Sequence, residues 1–236
     1  MGSYRWVFFD LFDTLCTVDE DVYYRGKRAT AEAAGVEYGA FLASWTDTAQ
    51  DASVGKLKSP FSRAERALES LGVRDRRIVA EVARLDVETI QACVCYYEGA
   101  EAALEALRSR GFGLGLISNA TATTAFAIGP LGLRNRLDCL VFSYEVGATK
   151  PDPAIYEAAM QRSGCLPGDA LFVGDGANHE LDAAASLGMG TLCMDHPRKA
   201  HTFRNPATVS GPGHRVVRGF AELLGHPDLA GPPSDD

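Results

Sequence analysis

Residues 4–15 read YRWVFFDLFDTL. The apolar run Trp6 to Phe9 is too short to span a membrane and reads as a fully buried β-strand that stops at a carboxylate, Asp10. Ligands of open α/β sheets bind beyond the carboxyl ends of the strands. An acid at that place, with a loop rich in hydrogen-bonding groups after it, is therefore a candidate nucleophile or metal ligand. The same acid reads equally well as a helix N-cap. The rest of the chain has to decide.

After Leu15 the pattern turns helical. Residues 21–35, 38–52, 59–72 and 75–97 each carry apolar side chains at three-to-four spacing, with Gly55, Pro60 and Gly72 as turns and no strand between them. Residues 16–98 are thus expected to form an inserted helical lobe. From Gly99 on, helices over 99–110, 121–131, 153–163 and 178–187 alternate with strands over 113–117, 139–143, 170–173 and 191–194. Residues 196–214 read as loop and 215–224 as a last strand and helix; 229–236, containing GPPSDD, read as a disordered tail. The expected fold is α/β: a Rossmann-like parallel sheet with helices on both faces, built from 1–15 and 99–228, plus the helical insertion.

The chain has 236 residues, 46% of them hydrophobic, which is enough for a sizeable core and a smaller lobe. Its 23 basic and 31 acidic residues give a net charge of -8 with no long basic run, an argument against nucleic acid or an anionic membrane as partner. A small anionic substrate would need a local positive site. The six cysteines show no paired metal spacing and read as reduced thiols, Cys93-Val94-Cys95 being too tight for a zinc half-site. No signal peptide precedes the first strand and no apolar segment reaches membrane length, so a cytoplasmic protein is expected, as monomer or homodimer.

Three more strand ends carry polar groups. The strand at 113–117 ends in Ser118-Asn119, that at 139–143 leads to Gly147-Ala148-Thr149-Lys150-Pro151, and that at 170–173 ends in Gly174-Asp175-Gly176. In a parallel sheet these tips lie on one edge, so Asp10, Ser118, Lys150 and Asp175 should converge. Asp10 and Asp175 offer hard oxygen ligands suited to magnesium, while Lys150 supplies a point charge for a phosphoryl group. Ser118, Asn119 and nearby backbone N–H groups would hold the remaining phosphate oxygens. Singly, each has a plain structural reading: a solvated lysine, a helix N-cap, a turn aspartate. One site explains all four together.

The segments FFDLFDTL, LGLISNAT, GATKPDPAIYEAAM and LFVGDGANHELDAAASLGM resemble, in order, the four motifs of the haloacid dehalogenase superfamily. The resemblance implies that residues 16–98 are a cap over the active site. It further implies that Asp10 is a nucleophile forming an aspartyl-phosphate, that Asp175 is a magnesium ligand and that Phe12 gives its carbonyl to the metal. Thr14 and Ser118 match phosphate-binding hydroxyls, Lys150 the charge-stabilising lysine, and Glu180 a second acid that orients the metal's waters. The implied activity is a magnesium-dependent phosphatase for a small phosphorylated metabolite.

One position departs from that pattern. Family phosphatases carry an acid/base aspartate two residues after the nucleophile, where this chain has Phe12. General acid-base catalysis is worth about a hundred- to ten-thousand-fold, so a stand-in matters, and Asp13 is the nearest candidate. An aromatic residue there resembles the 2-haloacid dehalogenases, which use the same aspartate without metal. A non-catalytic phospholigand-binding protein is the third reading. Tyr23, Tyr24, Arg25, Arg28, Trp45, Lys56, Lys58 and Arg63 are cap residues that could face the substrate. His179, His196 and His201 read as solvated loop or surface residues.

Overall fold

In the computed structural model, which describes residues 4–197 and 211–232, eight strands are formed. They are β1 (Trp6–Phe9), β2 (Cys16–Val18), β3 (Val94–Tyr96), β4 (Gly113–Ser118), β5 (Cys139–Phe142), β6 (Ala170–Gly174), β7 (Gly190–Met194) and β8 (Arg215–Val217). Six of them make one sheet in the order β5-β4-β1-β6-β7-β8. Every neighbouring pair in it is parallel, so all its carboxyl ends share an edge, as the alternating pattern predicts. The register sets Phe9 level with Leu116 on one side and Val173 on the other.

The pleat sorts β1 between two cores. Val7 and Phe9 pack with Leu114 and Leu116 against Leu104 and Leu107 of helix Ala100–Ser109 and Leu223 of helix Phe220–Leu224. Phe8 points the other way, to Ile117 and Phe172, under Ile155 of helix Pro153–Ser163 and Leu181 of helix Glu180–Ser186. Val7, Phe8 and Phe9 are fully buried, each contributing about 1.5–3 kcal/mol of apolar burial. Helices on both faces are why the strand reads as a continuous apolar run rather than an alternation.

Helices Glu20–Ala34, Tyr38–Asp47, Ala49–Ser53, Pro60–Ser70 and Arg76–Cys93 surround a core of their own containing Phe41, Leu68, Val79 and Val82. Their starts are capped by the side chains of Asp19, Glu37, Ser59 and Asp75, except at Ala49.

Four expectations need correction. No strand was expected within 16–98, yet β2 and β3 pair antiparallel, Cys16 opposite Tyr96 and Val18 opposite Val94. The helix expected to reach Tyr97 therefore ends at Cys93. A three-residue strand is too short to show alternation, and its partner lies at the far end of the insertion. The helix expected over 38–52 breaks at Thr48, whose hydroxyl donates to the Trp45 carbonyl at 2.7 Å. That expected over 121–131 stops at Ala127 and gives way to a 3-10 turn, where Pro130 lacks the amide a helix needs. Finally, Leu229, assigned to the tail, is fully buried, and its carbonyl accepts from Arg110 Nη1 at 2.7 Å. The remaining tail residues 233–236 and the loop histidine His201 lie outside the described residues. No helix among the described residues is long and apolar enough to cross a membrane.

Candidate active site

Asp10 follows β1 directly, and its backbone N–H donates to the Val173 carbonyl at 2.9 Å, carrying the pairing with β6 one residue past the strand. Asp175 follows β6, its Oδ1 accepting from the Ala177 N–H at 3.0 Å. Glu180 opens the next helix, and its Oε1 accepts from the Gly176 N–H at 3.1 Å. Carboxylate oxygens of all three lie within 4.8 Å of one another, and all three residues are buried. Gly174 makes this possible, since a Cβ there would sit 2.2 Å from Glu180 Oε1. Lys150, 3% exposed, donates from Nζ to Asp10 Oδ1 in a very short contact and to Glu180 Oε2 at 2.5 Å.

Burial raises the Asp10 pKa; the Lys150 charge opposes this and Asp175 reinforces it. Glu180 is pushed up to about 8, again chiefly by burial, against Lys150 and with Asp10 and Asp175 adding repulsion. Burial alone would lower the Lys150 pKa, but the charges and hydrogen bonds of Asp10 and Glu180 outweigh it and raise it. Three buried acids crowd against one ammonium, and their mutual repulsion adds to burial in holding protons on Asp10 and Glu180 above the usual carboxylate range.

That donor set fits a magnesium ion: hard oxygens only, from three acids, around a cavity of about 60 Å³ also lined by Asp13 and Asn119. Asp10, Asp175 and Glu180 are the residues that would hold it or its waters.

The two hydroxyls expected to bind phosphate are both buried. Ser118, 1% exposed at the end of β4, and Thr14, fully buried, each have a side-chain oxygen with no hydrogen-bond partner among the described residues. A buried hydroxyl left so costs about 1–3 kcal/mol, which a bound anion would recover. Asn119, expected to bind substrate, lines both the carboxylate cavity and a larger one next to it, and it also contacts the Lys150 backbone. Its Oδ1 accepts from the Lys150 N–H at 2.7 Å and its Nδ2 donates to the Lys150 carbonyl at 3.1 Å, so the amide holds the lysine's backbone.

Asp13, the stand-in named from sequence, lines the carboxylate cavity with Asp10, and its Oδ1 accepts from the Tyr97 hydroxyl at 3.1 Å. Its φ of 55° is left-handed, a conformation that Asp tolerates better than most residues. Phe12 is partly buried and lines both this cavity and a larger one beneath the helices.

His196 corrects the reading of a solvated loop histidine. It is 8% exposed, its ring is stacked 3.7 Å from that of Tyr97, and its Nε2 donates to the Thr14 carbonyl at 2.9 Å. His179 is a surface residue near Asp182, as expected. Of the cap residues named from sequence, Tyr23, Trp45 and Arg63 line the larger cavity. Tyr24 is exposed, Arg28 lies over Tyr38, and Lys56 pairs with Asp51 at the surface. Reasoning from sequence missed Lys27 and Asp86, a fully buried ion pair that lines the same cavity. The available signal was Lys27 itself, on the helical face that carries Tyr23, Ala31 and Ala34.

A family model described as haloacid dehalogenase-like hydrolase matches residues 4–188. Haloacid dehalogenase-like hydrolase domain-containing protein 3 of Homo sapiens is 32% identical over 155 residues, 65% of this chain and 61% of that protein. A glyceraldehyde 3-phosphate phosphatase of Methanothermobacter thermautotrophicus is 34% identical over 90 residues, 38% of this chain and 40% of the enzyme. The matches thus cover less than two thirds of these relatives' length. Among solved structures, an L-2-haloacid dehalogenase superposes with a TM-score of 0.66 at 20% identity, covering 94% of this chain and 97% of that one. That likeness shows a shared fold, and fold does not settle which chemistry is performed.

Proposed function

The chain belongs to the haloacid dehalogenase-like hydrolase family, and on that premise we propose that it is a magnesium-dependent phosphatase of small phosphorylated metabolites. The observation that carries the reading is the burial of Asp175 and Glu180 beside Asp10. A halide displaced from carbon by one carboxylate needs no further acids, and burying two more without use would be costly. When bound, magnesium would offset negative charge on the phosphoryl group and on the acids.

In this reading an Asp10 oxygen attacks phosphorus in line, the new O–P bond forming as the bond to the leaving oxygen breaks. Lys150 holds the Asp10 carboxylate in place, and Ser118 and Thr14 donate to the transferring phosphoryl oxygens. Asp13, held by Tyr97, gives its proton to the leaving oxygen and then takes one from the water that attacks the aspartyl-phosphate, which restores Asp10 and releases phosphate. The helical lobe acts as the cap, excluding bulk water.

The test is turnover of p-nitrophenyl phosphate with magnesium and with EDTA. The wild type should hydrolyse it only with the metal, and Asp10→Asn should lose at least a thousandfold. An Asp10→Asn protein with undiminished turnover ends the proposal. Phe12 at the acid/base position supports the second reading, a 2-haloacid dehalogenase. Halide release from 2-chloropropionate that is indifferent to EDTA would favour it.

A further inference from the structure

The larger cavity, about 610 Å³, lies between the helical lobe and the segment after β4. Trp45, Arg63, Lys27 and Asp86 wall it from the lobe and Thr123 from the sheet side, while Phe12 lines both it and the carboxylate cavity. A phosphoryl group beside Asp10 would therefore direct the rest of its molecule past Phe12 into this space.

The polar groups of the cavity are only partly satisfied. Lys27 Nζ contacts Asp86 Oδ1 and sits 4.1 Å from the Trp45 ring centre, both charged residues being about 1% exposed. Asp86 Oδ2 is buried and has no hydrogen-bond partner among the described residues, and the same is true of Thr123 Oγ1. Arg63 lies 4.5 Å from the Trp45 ring centre; its Nε donates to Thr48 Oγ1 at 3.0 Å and its Nη2 reaches the Trp45 carbonyl at 3.5 Å. Its Nη1 has no hydrogen bond among the described residues. The two cations outnumber the one carboxylate, in a chain whose net charge is -8. A ligand that completes the set brings an anion for the guanidinium and a donor for Asp86 Oδ2.

We propose that this cavity binds the carbon skeleton of the substrate, and that the skeleton carries a carboxylate for Arg63 and a hydroxyl or amino donor for Asp86. The substrate class is a phosphorylated hydroxy or amino acid. The proposal rests on the phosphatase reading for its phosphoryl end. A neutral polyol phosphate leaves Arg63 without its counter-charge. A nucleotide base would need the Trp45 ring, against which Lys27 and Arg63 already pack.

The subsite is tested separately from the chemistry. The chain has two tryptophans, so Trp6→Phe leaves Trp45 as sole reporter, and its fluorescence is titrated with glycerate and with glycerol, neither of which carries phosphate. Glycerate should bind at least tenfold more tightly than glycerol, and Arg63→Gln should abolish that difference while Arg63→Lys restores part of it. Equal binding of the two by the Trp6→Phe protein, with Arg63 in place, overturns the proposal, and calorimetry of the unsubstituted protein with the same two compounds reads the same difference without any variant. In turnover, kcat/KM for 3-phosphoglycerate should exceed that for glycerol 3-phosphate about tenfold. Equal turnover of both esters overturns the substrate class but keeps the phosphatase. Selective glycerate binding with no ester hydrolysed supports the subsite and removes the phosphatase.

Discussion

Asn119 grips the backbone of Lys150 from both sides, accepting its N–H at 2.7 Å and donating to its carbonyl at 3.1 Å. The pair ties the end of β4 to the loop after β5, so the ammonium is aimed at Asp10 by a residue that is not itself charged. Asn119→Ala removes both bonds, a loss of about 1–3 kcal/mol, and lets the loop drift. Because displacements near 1 Å can cost about a hundredfold in rate, kcat on p-nitrophenyl phosphate should fall about ten- to a hundredfold. Asn119→Asp keeps the acceptor and loses the donor, and should fall between. Wild-type kcat in Asn119→Ala would exclude the positioning role.

Gly55 touches the sheet side of the molecule. It has a φ of 72°, and a Cβ there would lie 2.0 Å from the Tyr144 carbonyl oxygen, a backbone atom that cannot swing aside. Gly55→Ala should therefore push the lobe's loop off its seat and loosen the cap cavity. The expected result is a KM raised several-fold for substrates that fill the cavity, with a melting temperature lowered by a few degrees, measured by steady-state kinetics and thermal unfolding.

The Lys27–Asp86 pair makes two predictions about stability. Lys27→Met alone strands a buried carboxylate and should cost about 3–5 kcal/mol, whereas Lys27→Met with Asp86→Leu should be neutral or stabilising by about 1–4 kcal/mol. The pH dependence follows from the Lys27 pKa, which burial lowers despite the opposing attraction of Asp86. Below 10.5 and above the folded value, the unfolded chain binds more protons than the folded one, so stability rises with pH across that window. Denaturant unfolding of the wild type against the double variant, followed as pH is raised toward 10.5, should show the wild type gaining ground.

Phe12→Asp puts an acid at the position where family phosphatases carry one, next to the stand-in Asp13. On esters with poor leaving groups it should raise kcat about ten- to a hundredfold, and on p-nitrophenyl phosphate, whose leaving group needs no proton, it should change little. A parallel set of alkyl and aryl phosphates reads the difference as a change in leaving-group dependence.

The site edge was legible because Asp10, Ser118 and Asp175 each end an apolar run, and a parallel sheet gathers such ends without further information. Lys150 was found for the same reason, through the loop after β5. Asn119's grip on Lys150 was not, since a side-chain amide facing a distant backbone leaves no spacing to read. The burial of His196 depends on Tyr97, brought in from the other end of the insertion. Lys27 and Asp86 escaped because a charge on an amphipathic helix ordinarily faces water, and only tertiary packing reveals the exception. The β2–β3 pairing was hidden by its length.

That short ribbon fixes how movement and reactivity are joined. β2 begins at Cys16, directly after the Asp13-Thr14-Leu15 turn; the Tyr97 N–H donates to the Leu15 carbonyl at 3.0 Å, and the Tyr97 hydroxyl holds Asp13. The lobe is hung from the same few peptides that carry Asp10 and Asp13. A shift of the helices would therefore reach the turn after Asp10 with no flexible linker in between to absorb it.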